Sequence, residues 1–330
     1  MTFTIKSNKP AQAPQSVVFC CDENYLTYAL WAAERIVKTH PNRAFDICLC
    51  HTGALHIPDT LSRHELRTVQ IDTHGAFDDL EFDQRRSAAM YLRLAVPEAL
   101  SGDYSRILYL DSDIFVQGGD IETLLGVDLR GHPVGAVRDN IQWRTPLRMP
   151  LEFKALGMPN APYFNSGVML IDVKSWQEQR ITAKAIEFGK AHVGQLERHD
   201  QTALNAILHR NWAEISPAWN WQYSERARLL EPMFDAHVIH FIGPRKPWSD
   251  KGHQLPPRFA NDLGDFLRRN MPDFHTEGRY EAEASDSPAL NSRLMRKMLL
   301  RHYLGLRKMQ NYLSRFPTSF TVQGTGHAAP

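Results

Sequence analysis

The sequence predicts an α/β fold in which a sheet is flanked by helices. From Ser16 onward, short apolar runs alternate with longer amphipathic stretches, the rhythm of strands and helices in such a sheet. At 330 residues, 43% apolar and 23% charged, the chain can bury one large core, or a main domain with an appendage.

VVFCC (17–21) reads as the first buried strand, followed by a helix over 24–38. FDICLC (45–50) and TVQIDT (68–73) read as the next strands, separated by a short helix rich in His and Arg. A helix over 86–100 leads into RILYLDSDIFV (106–116), the most apolar strand of the first half. PVGAV (133–137) and FNSGVMLIDV (164–173) follow, then helices near 181–191 and 200–210, and VIHF (238–241) is the last core strand. Residues 140–162 carry four prolines and read as a long loop, of a length that often serves as a lid. The chain thus divides into an N-terminal tail (1–15), a catalytic domain (16–250) and a C-terminal extension (251–330). The extension begins with a polar linker (251–290) and continues as a basic helix (291–316).

A net charge of +1 gives no pull toward nucleic acid. Cys20, Cys21, Cys48 and Cys50 lie inside apolar runs without C-x-x-C spacing, and read as free buried thiols of a reducing compartment. The polar N-terminus lacks the apolar core of a signal peptide, and no run approaches the ~18 apolar residues of a membrane span. The expected address is the cytoplasm.

The strongest local signal is Asp111-Ser112-Asp113 inside ILYLDSDIFV. Two carboxylates in an apolar strand are costly unless something pairs with them. The i, i+2 spacing puts both on one face of an ideal strand. A hard cation such as Mn²⁺ or Mg²⁺ would find oxygen ligands there, with diphosphate oxygens completing its shell. The plainer alternative is a strand-end turn with solvated aspartates.

Asp22-Glu23-Asn24-Tyr25 follows the first strand directly, where ligands bind in open α/β sheets. Asp22 suits a uracil or ribose and Tyr25 a base; alternatively, Asn24 caps the helix and Tyr25 packs. In VIHFIGPRKPW (238–248), His240 closes a strand, Gly243-Pro244 turns the chain, and Lys246 follows. Imidazole suits Mn²⁺, and a glycine turn with a lysine suits a diphosphate. Asn165, Ser166 and Gly167 interrupt another apolar strand, the glycine permitting close backbone approach. Asp200 is either the N-cap of its helix or a site residue, with Gln201 projecting from the first turn toward the sheet edge. Arg93, between Leu92 and Leu94, is either a clamp for phosphate or carboxylate, or the buried partner of an aspartate.

Six stretches, FCCDENY, MYLRL, ILYLDSDIFV, YFNSGVMLIDVKSW, HDQTALNAIL and HFIGPRKPW, run in this order over roughly 16–250. In combination they resemble glycosyltransferase family 8, especially the bacterial lipopolysaccharide galactosyl- and glucosyltransferases. The resemblance implies a GT-A fold, a Rossmann-like mixed sheet that binds a nucleotide, followed here by a helical extension. It also implies transfer of galactose or glucose from UDP-galactose or UDP-glucose to a saccharide acceptor, with retention and with Mn²⁺. Asp111, Asp113 and His240 would hold the metal, with Ser112 between them in the donor site. Cys20, Asp22, Asn24 and Tyr25 would line the uridine pocket. Arg93, Asp139, Asn165, Gly167 and Asp200 would reach the donor sugar, and Gly243 and Lys246 the diphosphate. Gln201 would lie nearest the anomeric carbon, so Gln201, Asp200 and Lys246 are the expected catalytic set. Ser166 stands where relatives often carry alanine.

Rival readings are a glycogenin-like self-glucosylating enzyme, an inactive UDP-sugar-binding protein, and a haloacid-dehalogenase-type phosphatase using Asp111 and Asp113. The phosphatase reading suffers from Phe115, where that family expects Thr or Val. Over 291–316, Leu294, Met295, Met298, Leu299, Leu306, Met309, Tyr312, Leu313 and Phe316 fall on one helix face. Seven cations, Arg293, Arg296, Lys297, Arg301, Arg307, Lys308 and Arg315, occupy the other. This predicts a helix lying on an anionic membrane surface, on the inner face of the cell membrane beside a lipid-linked saccharide acceptor; the alternative is a helix docked on the catalytic domain with its cations in solvent.

Overall fold

A computed structural model gives the fold, describing residues 3–80, 89–224, 230–231, 234–250, 255–274 and 292–325. The first half runs β1 (Thr4–Ser7), β2 (Gln15–Cys20), α1 (Glu23–Thr39), β3 (Asp46–His51), β4 (Arg67–Asp72), α2 (Ala89–Ala99), β5 (Arg106–Leu110), β6 (Ile114–Val116) and α3 (Ile121–Leu125). Next come β7 (Val134–Arg138), α4 (Leu151–Ala155), β8 (Phe164–Asp172), α5 (Val173–Glu178), α6 (Ile181–Ala191), α7 (His199–Ile207) and β9 (Ala213–Ile215). The chain closes with β10 (Trp221–Gln222), β11 (Val238–His240), α8 (Pro257–Asn270), α9 (Ser292–Leu313) and β12 (Val322–Gly324).

The main sheet has the order β1-β4-β3-β2-β5-β8-β7-β9-β12. Strands β4, β3, β2 and β5 are parallel, β8 is antiparallel to both β5 and β7, and β7 is parallel to β9. Both faces are covered, as the alternation along the central strands requires. Val17, Phe19, Leu108 and Leu110 join the core beneath α1 and α8, while Val18, Ile107 and Tyr109 join the core beneath α2, α5 and α6. The chain steps outward from β2 through β3 to β4 and then returns to β5 on the other side of β2. That reversal opens a crevice at the carboxyl ends of β2 and β5. β7 runs the same way, so Cys20, Asp111 and Asp139 all leave the sheet at one edge, where β8 begins.

Several expectations change. The supposed N-terminal tail contains β1, which pairs antiparallel with β4 (Thr4 opposite Asp72) and covers the sheet edge. The 106–116 strand is interrupted: β5 ends at Leu110, and β6 belongs to a separate three-stranded sheet, β10-β11-β6. The proline-rich loop holds α4, whose Phe153 packs against Ala161 and Tyr163. Of the expected linker, 251–254 and 275–290 lie outside the described residues. The remainder forms α8, which buries Phe259, Leu263, Phe266 and Leu267 at i, i+4, i+7, i+8. Residues 86–88 of the helix before β5, and residue 291, also lie outside the described residues.

The extension docks on the main domain. Met309, Tyr312 and Phe316 are buried in its core, with Leu306 and Leu313 packed alongside. Tyr312 stacks on Trp143 at 5.8 Å, and β12 pairs with β9. The apolar face expected to meet lipid is therefore, over 306–316, an internal one. Arg315, one of the seven cations expected to face anionic lipid, lies 3.0 Å from Glu214 Oε2. Among the described residues, no helix is long and apolar enough to cross a membrane.

Candidate active site

Asp111, Ser112 and Asp113 form the bend by which the chain leaves β5 and enters β6. His240 closes β11 opposite Ile114, and Phe241 N donates to Asp113 O at 3.0 Å, which brings the imidazole over the bend. One ligand atom from each of Asp111, Asp113 and His240 falls within 4.8 Å of the others. His240 Nε2 lies 3.2 Å from Asp113 Oδ1 and 3.9 Å from Asp111 Oδ2. Buried Asp113 Oδ1 makes no hydrogen bond despite that proximity. Two carboxylates and an imidazole converging on one point are a donor set for a hard or borderline divalent cation.

The neighbouring charges are arranged around these carboxylates. Arg93 NH2 lies 3.0 Å from Asp111 Oδ1, its Nε lies 3.0 Å from Asp200 Oδ2, and its NH1 donates to Ser166 O and Oγ. Arg93 is thus the buried partner of two aspartates. Burial disfavours its charge, but Asp111 and Asp200 outweigh that and push its pKa above the ordinary arginine value. Tyr109 donates to Asp111 Oδ1 at 2.7 Å, and the Lys246 ammonium donates to Asp113 Oδ2 and Phe241 O. Burial alone would raise the Asp113 pKa. The Lys246 ammonium outweighs it and holds the carboxyl well below its usual range.

A chain of amides fixes which atoms face the centre. Gly167 N donates to Asn165 Oδ1 at 3.1 Å, so that oxygen is an acceptor. Asn220 Nδ2 donates to the same oxygen at 2.9 Å, which leaves Asn220 Oδ1 to accept from His240 Nδ1 at 3.0 Å. The imidazole proton therefore resides on Nδ1, and the Nε2 lone pair points at the carboxylates. Ser166 N likewise donates to Gln201 Oε1 at 3.1 Å, as does Asn165 Nδ2 at 3.3 Å. Gln201 Nε2 is buried without a hydrogen-bond partner. Gly167 sits between these parts: a Cβ there would lie 2.2 Å from His240 Cε1 and 2.7 Å from Asp111 Oδ2.

The remaining expected residues line the same edge. Cys20 ends β2, and Asp22, rather than Asn24, caps α1 by accepting from Tyr25 N at 3.1 Å. Asn24 and Tyr25 are exposed beside it. Asp200 is in the first turn of α7 rather than at its cap, which frees its carboxylate for Arg93. Asp139 is buried; Arg198 NH1 donates to its Oδ2 at 2.6 Å, and Ile141 N donates to its Oδ1. Ser112 is buried with an unpaired hydroxyl. Gly243 turns the chain after β11 at φ +84°, a conformation that favours glycine.

Sequence reasoning missed Asn220, Tyr109 and Arg198. Asn220 could have been suspected, being an amide set between two tryptophans, Trp219 and Trp221. Tyr109 reads as an ordinary strand aromatic, and nothing local separates Arg198 from a surface arginine.

A profile of the family described as "Glycosyl transferase family 8" matches residues 16–252. General stress protein A of Bacillus subtilis (strain 168) is 29% identical over 256 residues, which cover 71% of this chain and 87% of that protein. The lipopolysaccharide 1,3-galactosyltransferase of Salmonella typhimurium (strain LT2) is 31% identical over 173 residues, which cover 50% of each chain. A crystal structure of the galactosyltransferase LgtC with donor and acceptor sugar analogs superposes with a TM-score of 0.65 at 22% identity, over 76% of this chain and 95% of that one. The profile spans more than two thirds of the sequence and includes every residue of the bend, the amide chain and β11, so the chain belongs to glycosyltransferase family 8 and has its GT-A fold.

Proposed function

We propose that the protein transfers a hexose, galactose or glucose, from a UDP-sugar to a saccharide acceptor with retention of configuration, in lipopolysaccharide or other surface-glycan synthesis. The observation that carries this reading is the Asp111-Asp113-His240 convergence at the sheet's topological switch point. The similarity to the Salmonella lipopolysaccharide galactosyltransferase supports the hexose and the glycan. Membership of glycosyltransferase family 8 sets the phosphatase reading aside, and in the reading proposed here Asp111 is a ligand rather than a nucleophile.

The donor set, the orphaned Asp113 Oδ1 and the glycine cradle fit a divalent cation, Mn²⁺ or Mg²⁺. When bound there, it supplies Lewis-acid stabilisation of charge on the departing diphosphate. Asn220 holds the His240 lone pair toward the site, and Arg93 fixes the Asp111 and Asp200 carboxylates in place. The Lys246 ammonium, paired here with Asp113, suits the diphosphate once Asp113 is otherwise engaged. Cys20, Asp22, Asn24 and Tyr25 line the nucleoside end of the crevice. Asp139, Asn165 and Gly167 approach the sugar.

Gln201 presents an amide N–H rather than a carboxylate, and Asp200 is held by Arg93, so neither suits a covalent glycosyl intermediate. This supports attack by the acceptor hydroxyl on the donor's own face, with the leaving phosphate taking the proton. A UDP-sugar panel scored for UDP release with EDTA, Mn²⁺ or Mg²⁺ tests the reading. Donor-selective release that EDTA abolishes and Mn²⁺ restores is expected; full turnover in chelator would remove the metal assignment. An NMR assignment of an α-linked product tests retention.

We further propose a membrane contact different from the one the sequence suggests. Leu299, Leu300, Tyr303 and Leu304 of α9 are each more than half exposed, beside exposed Arg296, Arg307 and Lys308. This patch suits an anionic lipid surface near a lipid-linked acceptor. The full-length chain should co-sediment with anionic but not neutral vesicles, and Leu299→Gln with Leu300→Gln should weaken that. Unchanged sedimentation of the double variant would remove the surface.

A further inference from the structure

A cavity of about 340 Å³ lies between the loop after β7 and α9, within the size range of small-molecule sites. Asn140, Trp143 and Arg144 line it from the loop, Ser224 from the segment after β10, and Gly305 and Lys308 from α9. No acidic residue lines it among the described residues, and two cations do. Ser224 Oγ is buried without a hydrogen-bond partner.

Its position relates it to the metal-site edge. Asn140 directly follows Asp139, and its N–H donates to Gln222 Oε1 at 2.8 Å. Gln222 lies opposite His240 in the β10–β11 pair, and Tyr223 N donates to His240 O at 2.8 Å. One wall of the cavity is thus the continuation of the strand beside the metal ligand. Gly305 has a specific reason to lack a side chain: a Cβ there would lie 2.9 Å from Arg144 Nε and 3.0 Å from its Cζ. The glycine that interrupts a basic helix admits a guanidinium to this wall.

The geometry points to this cavity as an acceptor subsite for an anionic saccharide, one that carries a phosphate or carboxylate substituent. This inference rests on the glycosyltransfer reading. Arg144 and Lys308 supply charge-assisted donors, Asn140 and Ser224 supply hydrogen-bonding groups for hydroxyls, and exposed Leu304 supplies apolar wall for a sugar face. The docked half of α9 is then part of the substrate site.

The test uses the full chain and four probes: methyl glucoside, methyl glucuronide, glucose 6-phosphate and inorganic phosphate, each titrated by isothermal titration calorimetry with UDP and Mg²⁺ present. The two charged sugars should bind at least about tenfold more tightly than methyl glucoside, the scale of one charge-assisted hydrogen bond. Lys308→Gln, on the exposed side of α9, should remove about tenfold from both and little from methyl glucoside. Arg144→Gln should do the same, its fold checked by thermal midpoint. Equal affinity for neutral and charged sugars, or no response to Lys308→Gln, would overturn the subsite. Inorganic phosphate binding as tightly as glucose 6-phosphate would overturn its saccharide character. Acceptor-free UDP-sugar hydrolysis by the wild type reports separately on glycosyl transfer: its absence alongside selective binding of charged sugars would fail that reading and leave the subsite standing.

Discussion

Asn220 Oδ1 accepts the Nδ1 proton of His240 at 3.0 Å, and both side chains are buried. The direction of that bond is set two residues away, by a backbone N–H of Gly167 that obliges Asn165 to present its oxygen. Replacing Asn220 should therefore act on the metal without touching it. Asn220→Ala is expected to weaken Mn²⁺ about 10–100-fold, the usual effect of losing the partner of a ligating histidine. Metal titration of UDP release would measure this, and unaltered Mn²⁺ dependence would separate Asn220 from the site.

Gly167 and Gly243 should respond differently to alanine. At Gly167 the new methyl meets His240 and Asp111 below van der Waals distance, so the ligands must separate. At Gly243 nothing lies within 4 Å, and the cost is only the left-handed backbone, about 1–2 kcal/mol. Gly167→Ala should lose at least about a hundredfold in kcat, the scale of losing one electrostatic contact to the transition state. Gly243→Ala should chiefly lower the thermal midpoint. Equal kinetic losses would show that the clash at Gly167 relaxes freely.

The alternation of apolar runs was enough to name the α/β fold, because strands buried on both faces read as unbroken hydrophobic stretches; β3 is buried at all six positions. The site's first contacts were legible for a related reason: Asp111, Asp113, His240 and Asn165 are polar residues inside such runs. What stayed illegible was set by distant parts of the chain. Strand β1 carries only the short alternation Phe3-Thr4-Ile5-Lys6, easily lost before a polar, proline-containing stretch, and it pairs along the open edge of β4. The bend at 111–113 is imposed by β6 pairing with β11, more than a hundred residues away, so the local spacing suggested a straight strand. The face of α9 could be read from its periodicity, but not its partner, since lipid and a protein core demand the same apolar stripe.

The C-terminal helix should prove integral to the main domain. Tyr312 OH donates to Glu214 Oε1 at 3.1 Å, and Glu214, fully buried, also pairs with Arg138 at 2.6 Å. Tyr312→Phe removes one hydrogen bond to a charged group, about 1.5–3 kcal/mol. Glu214→Ala strands the Arg138 guanidinium and should cost about 3–5 kcal/mol. Urea unfolding would measure both. A chain shortened to remove α9 and β12 that unfolds at the full-length midpoint would contradict the docking.

Acid stability should depend on Glu34, which is 1% exposed on α1. Burial by itself would raise its pKa, yet His64, Lys38 and Arg269 outweigh burial and lower it from 4.5 to about 2. Lys38 Nζ lies 2.7 Å from Oε2, and Arg269, on α8, lies 3.0 Å from the same oxygen. A carboxyl whose folded pKa lies below its unfolded value stabilises the fold fully above the unfolded pKa. That contribution is lost as pH falls from about 4.5 through about 2. Lys38 and Arg269 are both nearly half exposed, so solvent screens the pairs and the contribution should be about 1–2 kcal/mol rather than the full shift. Glu34→Gln removes the titrating group but keeps its shape. The stability difference between wild type and Glu34→Gln, from urea unfolding at pH 6, 4 and 3, should therefore shrink as the pH drops. Parallel losses in both proteins across that window would mean that the pH dependence originates elsewhere.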